Sequence, residues 1–428
     1  MPSPRLRFPV ALLGTVLLSA PSTPEAHGED FQGSTHRMEY DAAPFLYSKS
    51  TPDDPVSRIQ KTFKNERNRG WLNYDPKFGY LPVVLEMLGV PVASQMLVFS
   101  KTSLQRHQIT PNNPRALYFS DNVYIGFVPG APVLEIATVD PQLGAIFYTV
   151  NQDKDEPVRF RRDLDCLSCH ASSRSMGVPG FVLRSLDTEA NGEIVTGTES
   201  ESTTHFSPIK ERWGGWYVTG APADWTHRGN LPGPSAEASS AFQKRVIESN
   251  YPAKGSDALP LLVHDHQVHM HNYFTRIGFE ARQTMEMYGH IRYLRNQVDA
   301  LLRYLLYTEE APFPSPVPPN REFIEAFQRS AHRDRQGRSL RDFDLQTRLF
   351  KYPCSFLIES DGFQKMPEFI RTHVLTKLWQ ILTGQNQEPA FASLDATSRR
   401  AILEILRDTL PNLPACWQED GPHVPNPE

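Results

Sequence analysis

Two thiols three positions apart, with an imidazole directly after the second, stand in the run Cys166-Leu167-Ser168-Cys169-His170. That spacing has a specific chemical use. The two thiols can reach the two vinyl groups of one porphyrin and form thioethers, and the adjoining imidazole can then bind the iron as its proximal axial ligand. Other uses of paired cysteines need other surroundings. A thioredoxin-like dithiol wants a βαβ setting, and a zinc knuckle wants a second Cys/His pair at short spacing. No such pair follows within twenty residues, in a chain with only four Cys and 14 His. The expected cofactor is therefore one covalent haem c, with Cys166 and Cys169 as attachment points and His170 as proximal ligand.

A sixth ligand to low-spin iron would be His or Met. Met176 lies too close behind His170 to cross the porphyrin edge. His205, in Thr203-Thr204-His205-Phe206, follows a predicted hairpin, so a loop could fold it over the opposite haem face; His227 is a looser version of the same idea. The run His264-Asp265-His266-Gln267-Val268-His269-Met270-His271 offers more imidazoles at the start of a helix, and a helix holds a ligand more rigidly than a loop does. The expectation is a bis-His iron with His205 or His271 as sixth ligand. The same run also invites a separate metal site or solvated and capping roles, with His264 preceding the helix. The two remaining cysteines, Cys354 and Cys416, are candidates for a disulfide that ties the C-terminus to the helical half. The alternative is a buried free Cys354 with Cys416 unpaired on a tail.

The elements that must position these residues divide the chain. Residues 27–52 lack periodicity and read as extended or poorly ordered. Asp54-Pro55 opens a short helix to Arg67, and a second helix covers Leu81–Leu88. Four β-branched and aromatic runs follow, Ala116–Phe119, Val123–Val128, Val133–Val139 and Ala145–Val150, separated by short turns that imply an antiparallel meander. Apolar residues on both faces of the third run predict a sheet covered on both sides. The motif comes next, on a helical turn, and then a hairpin of Phe181–Leu186 with Glu193–Val195 and a strand at Gly215–Thr219. Trp213 and Trp216 could wall a haem pocket or fill an ordinary core. From His266 to about Thr308 the pattern is helical with a break at Gly289, Pro312–Pro319 is a stiff connector, and Pro367–Thr383 and Asp395–Leu410 are helices.

The fold class expected is α+β: an antiparallel β-rich N-terminal half carrying the motif and a mostly helical C-terminal half. Its expected divisions are a signal peptide at 1–26, a β-rich haem-binding domain at 27–220, a linker at 221–260, a helical domain at 261–417 and a disordered tail at 418–428. The 428 residues are 39% hydrophobic and 22% charged, with a formal charge of −5, which suits a globular chain of this length. With no long Lys/Arg run, nothing suggests nucleic acid. Arg5 and Arg7 before the apolar stretch Phe8–Leu18 read as a cleaved export signal. No other stretch is apolar enough to span a bilayer. The expected location is thus periplasmic or otherwise exported, where haem c is assembled and a disulfide is permitted.

At its five motif residues the chain resembles the c-type cytochromes. The resemblance implies covalent haem and electron exchange with a redox partner protein, and it is local. Small cytochrome c domains carry the motif near the start of a compact all-α fold, whereas here it follows some 140 mature residues rich in strand. The stretch Glu211-Arg212-Trp213-Gly214-Gly215-Trp216-Tyr217-Val218-Thr219-Gly220 is also similar to secreted monohaem proteins of unassigned activity. Two functions remain. One is electron transfer with both axial positions filled. The other is a haem-dependent oxidoreductase or a sensor with an open distal site. A typical di-haem peroxidase would carry two such motifs, and this chain has one.

Overall fold

The four predicted strands pair in chain order because each connection is too short for a crossover. They form the centre of a six-stranded antiparallel meander, in which every strand pairs with its sequence neighbour. Its members are β1 (Met96–Val98), β2 (Arg115–Phe119), β3 (Val123–Phe127), β4 (Val133–Asp140), β5 (Gly144–Asn151) and β6 (Phe160–Arg162). The computed structural model describes residues 36–62, 73–156, 158–198, 200–231, 233, 242 and 244–418. The expected signal peptide, and all of the expected tail except Gln418, lie outside the described residues.

Register assigns the side chains of this sheet to two unlike faces, because successive residues alternate. Tyr118, Ile125, Ile136 and Tyr148 form one cross-strand row and are all buried. Tyr148 donates its hydroxyl to Asp54 (2.6 Å), ahead of helix α1 (Pro55–Thr62). On the opposite face Leu117, Gly126, Glu135 and Thr149 form the corresponding row, and Leu117, Glu135, Ala137 and Thr149 there are only half-buried. The expectation of a sheet covered on both sides therefore holds fully for one face alone. The other is covered at one end by a helix and elsewhere walls a cavity.

Helix α2 (Leu81–Met87) follows the expected span, and α3 is the single turn Leu167–His170. The long helix α4 runs from Ala258 to Tyr288. It starts eight residues before His266, so the linker expected at 221–260 ends early and His264 lies within the helix. Asp257 caps it by accepting from the Leu259 amide (2.9 Å), and Pro260 is tolerated in the first turn, where its missing N–H has no helical partner to lose. The predicted break is present at Gly289, which takes a left-handed φ of 70° as the terminating residue. Then follow α5 (Arg295–Leu305), α6 (Arg321–Gln328), α7 (Asp361–Gln364), α8 (Glu368–Leu382) and α9 (Ala396–Thr409). The last two match their expected spans within a residue at each end.

The architecture is an antiparallel sheet in the N-terminal half with helices in the C-terminal half, and it is not a small all-α fold. The two halves share one hydrophobic cluster, which joins sheet residues such as Ile125 and Ile136 to Phe274, Leu301 and Leu378 of the helices. Described parts of the expected linker join in. Tyr251 is buried and donates to the Pro114 carbonyl (2.7 Å), and Thr219 bridges to Asp257. Residues 36–52, expected to be poorly ordered, are also packed. Phe45 stacks on Phe279 with centroids 4.1 Å apart, and Tyr47 donates to the Ala145 carbonyl (2.7 Å).

Three further expectations need correction. Arg184–Ser185 pairs with Glu201–Ser202, and the predicted reversal at Asn191-Gly192 is present but joins Glu193–Val195 to residues 187–189, through a Thr188–Ile194 bridge and backbone bonds from Glu189 to the Glu193 carbonyl (2.7 Å) and from Val195 to the Asp187 carbonyl (3.1 Å). Gly215–Thr219 makes isolated bridges in place of a ladder. The Cys354–Cys416 disulfide is not formed, and both thiols are free and buried. Cys416 sits in a turn whose neighbour Trp417 donates to the Leu375 carbonyl of α8 (3.0 Å), whereas Cys354 is enclosed by the core near Tyr307 and Glu359. Among the described residues no helix is long and apolar enough to cross a membrane.

Candidate functional site

The motif is placed by the end of the sheet. After β6 the Asp163 amide donates to the Phe147 carbonyl (2.9 Å), and the chain then winds into one helical turn. The amides of Cys169 and His170 both donate to the Cys166 carbonyl (3.2 and 3.0 Å). This turn leaves Cys166 half-buried and Cys169 exposed. Burial, with Asp163 and Glu135 nearby, pushes the Cys166 thiol up to about 12.

His170 is held at two points by one residue. Its Nδ1 lies 3.0 Å from the Gly180 carbonyl, and its own carbonyl accepts the Gly180 amide (2.8 Å). A carbonyl can only accept, so Nδ1 carries the proton and Nε2 keeps a free lone pair. This tautomer is the one a metal-binding imidazole needs, and such a second-shell bond fixes the orientation of the ring. Burial lowers the His170 pKa to about 4, opposed by the Gly180 carbonyl, so the ring is neutral near pH 7. Phe147 packs against it with centroids 4.6 Å apart.

Helix α4 supports that clamp from behind. Asn272 accepts the Phe181 amide and donates to the Phe181 carbonyl, both at 2.8 Å. One turn later Arg276 donates to the Met176 carbonyl (2.9 Å). Gly180 has to be glycine for this approach, because a Cβ there would collide with the Asn272 side-chain oxygen. Replacing Asn272 with Leu leaves two buried backbone groups unpaired. Unfolding free energy should fall by about 2–6 kcal/mol, from roughly 1–3 kcal/mol for each orphaned group, as measured by urea denaturation.

The motif opens on a cavity of about 530 Å³, within the roughly 300–1,000 Å³ range of small-molecule and cofactor sites. Leu117, Gly126, Ala137 and Phe147 of the half-buried sheet face line one wall, and Asp165, Cys166, Ser168, Cys169 and His170 line another. A third wall is the segment Lys101–His107, with Arg184 and Ile194 completing the rim. Two apolar side chains at this rim are unusually open for their size, Leu104 at 63% and Ile194 at 36% exposure. Within the cavity Arg115 pairs with Glu135 (2.9 Å), and Ser103 donates to the same carboxylate (2.6 Å).

These residues fit a haem. Two thiols and an oriented imidazole share one turn beside a sheet face on which the apolar residues Leu117, Ala137 and Phe147 adjoin the Arg115–Glu135 pair. Four basic side chains, Lys101, Arg106, Arg115 and Arg184, line the same cavity; Lys101 and Arg115 are paired with Glu193 and Glu135, and Arg106 and Arg184 suit the two propionates of a haem. Among the described residues no group of three or more His, Cys, Asp or Glu is arranged to hold a bare metal ion.

Neither expected sixth ligand lines this cavity. His205 is buried in a separate network, with its Nδ1 2.9 Å from Nδ1 of His266, whose Nε2 meets the Ser355 hydroxyl at 2.7 Å. Tyr304 and Tyr307 pack on both rings. His271 packs against Phe181, next to the Gly180 clamp, and its Nε2 donates to the Asp121 carbonyl (2.8 Å). It therefore lies beside the segment that holds His170 and off the cavity. His264 packs against Phe119, Tyr124 and Trp216, and His269 against Tyr273 and Tyr304. The run of histidines is thus core rather than pocket. His227 meets the edge of Trp213, and Met176 is buried beneath Arg276. Trp213 and Trp216 are core residues too, donating to Asp265 (3.1 Å) and to the Arg184 carbonyl (3.0 Å).

The sequence reading missed His107, Arg115, Glu135 and Arg184. A signal for Glu135 was present: the short turns imply a register that sets it beside Gly126 on the face away from Ile136. No protein-family model, curated protein or solved structure matches the chain.

Proposed function

We propose that this protein is an exported monohaem c protein that transfers electrons through one haem bound at Cys166, Cys169 and His170. A haem supplies one-electron redox chemistry. The rest of the proposal assigns roles to residues of this chain. Cys166 and Cys169 hold the macrocycle, Gly180 fixes the His170 tautomer, and the sheet face with Leu104 and Ile194 excludes water from the ring. The exposed Cys169 edge lets a partner approach closely, and a redox partner protein is the proposed substrate. The observation that carries this reading is the clamped His170 tautomer on a cavity whose walls include both thiols.

One observation favours a second reading, in which a small molecule reacts in the same cavity. The Arg115–Glu135 pair there could orient a bound ligand and move a proton to or from it. One experiment separates the readings. The chain is made in a host that attaches haem outside the cytoplasm, then denatured, stained for haem and weighed. Retention of the stain and a mass gain of one haem are expected. In the reduced protein a carrier resists carbon monoxide, while rapid uptake would favour the second reading. Haem that acid–butanone extracts completely would exclude both.

A further inference from the structure

We propose that His107 is the sixth ligand of the iron, an inference that rests on haem attachment at Cys166 and Cys169. A sixth ligand has to lie on the cavity onto which the motif opens. Of the other candidate ligands on its lining, Asp165 adjoins Cys166 on the motif's own side, and the rest are already engaged. Glu135 is held by Arg115 and Ser103, and Lys101 pairs with Glu193 at 2.8 Å. The Tyr124 hydroxyl meets Gln267 (2.8 Å), and that of Tyr148 turns away to Asp54. Among the described residues no methionine lines the cavity, and His107 is its one imidazole besides His170.

The segment that carries His107 is a built loop, tied down on both sides of the residue. Before it, the Ser103 hydroxyl donates to Glu135 on β4, and the Lys101 amide donates to the Gly192 carbonyl (3.0 Å). After it, Ile109 is fully buried with Val128 and Ala131. Asn113 then donates to the carbonyls of Gln108 (3.0 Å) and Pro129 (3.1 Å). Between these ties His107 stands exposed at the cavity, in the same turn as the open Leu104. An imidazole and an aliphatic side chain presented together by an anchored turn suit one wall of a porphyrin, with nitrogen for the iron and carbon for the ring.

The test uses full-length holoprotein, with haem staining of a denaturing gel run on every sample. Ferric wild type should be low-spin by absorption and electron paramagnetic resonance. His107→Ala, an exposed substitution that removes no buried contact, should retain the stain and convert the iron to high spin. Added imidazole should restore the low-spin signal, and the reduced variant should take up carbon monoxide far faster than wild type. A stained wild type that is high-spin, or a stained His107→Ala variant that stays low-spin, overturns the assignment of His107 and leaves attachment intact. Loss of the stain in wild type overturns the attachment reading, and the ligand falls with it.

Discussion

Replacing both Cys166 and Cys169 with alanine should abolish covalent haem, so that a denatured, haem-stained sample falls to background while wild type stains. The argument is one of position. The remaining thiols, Cys354 and Cys416, are buried in the helical half and do not line the cavity, so neither can replace a lost attachment point. The single variants should differ from the double. Each keeps one thioether, so each retains stain at reduced yield, and the pyridine haemochrome band should move to longer wavelength because one vinyl group stays conjugated. His170→Ala tests another part of the site. It keeps both thiols, so the stain persists, but the iron loses its oriented proximal nitrogen and its spectrum changes. The double variant should also be less stable, because the half-buried face formed by Leu117, Gly126 and Ala137 loses its apolar cover. A double variant that still carried covalent haem would show that the attachment site lies elsewhere.

Local pattern made the sheet legible. Alternation of β-branched and aromatic residues between short turns fixes both the strands and their order, which is why four strands appear within about a residue of expectation. The strands at the ends of the sheet, Met96–Val98 and Phe160–Arg162, were not legible, because three residues give too little alternation to read. The start of α4 was hidden by Pro260 in a stretch rich in Gly, Ser and Pro. The motif at Cys166–His170 stands out because covalent haem attachment would dictate its spacing, whereas a sixth ligand would have no such constraint. His205 and His271 looked suitable as imidazoles downstream of the motif, yet tertiary packing sends both into the core. His107 lies 59 positions before Cys166, and only the return of the meander brings its loop to the same cavity. The role of the helical half was equally unreadable from sequence. Asn272 and Arg276 reach back to hold the segment behind His170, a long-range contact with no local pattern.

That packing predicts strong sensitivity to acid. Burial lowers the pKa of His264 to about 3 and those of His269 and His271 to about 4, and it holds His205 and His266 well below the ordinary value. Each ring is neutral in the folded chain but takes a proton near pH 6.5 once unfolded. Between about pH 6.5 and 4 the unfolded state therefore binds more protons at these five sites, and stability falls as pH falls. Buried carboxyls act in the opposite sense. Asp265 is the strongest: burial raises its pKa to about 7 against the pull of Arg212 and Trp213. It stays protonated in the folded chain where an unfolded aspartate is ionised, so its own contribution to stability declines from about pH 4 to 7. Asp54, Glu280, Glu310 and Glu359 are raised by burial as well, which confines the dominance of histidine to the upper part of the range. A net uptake of protons is expected on unfolding between about pH 6.5 and 5, each contributing roughly 1.4 kcal/mol per pH unit. Urea midpoints followed by circular dichroism should drop steeply over that interval and flatten above pH 7. His264→Phe has only the rings of Phe119, Tyr124 and Trp216 to satisfy, so it should remove about one proton from the slope while preserving the fold. A slope that His264→Phe leaves unchanged would mean that His264 is charged in the folded chain, contrary to its burial among those rings.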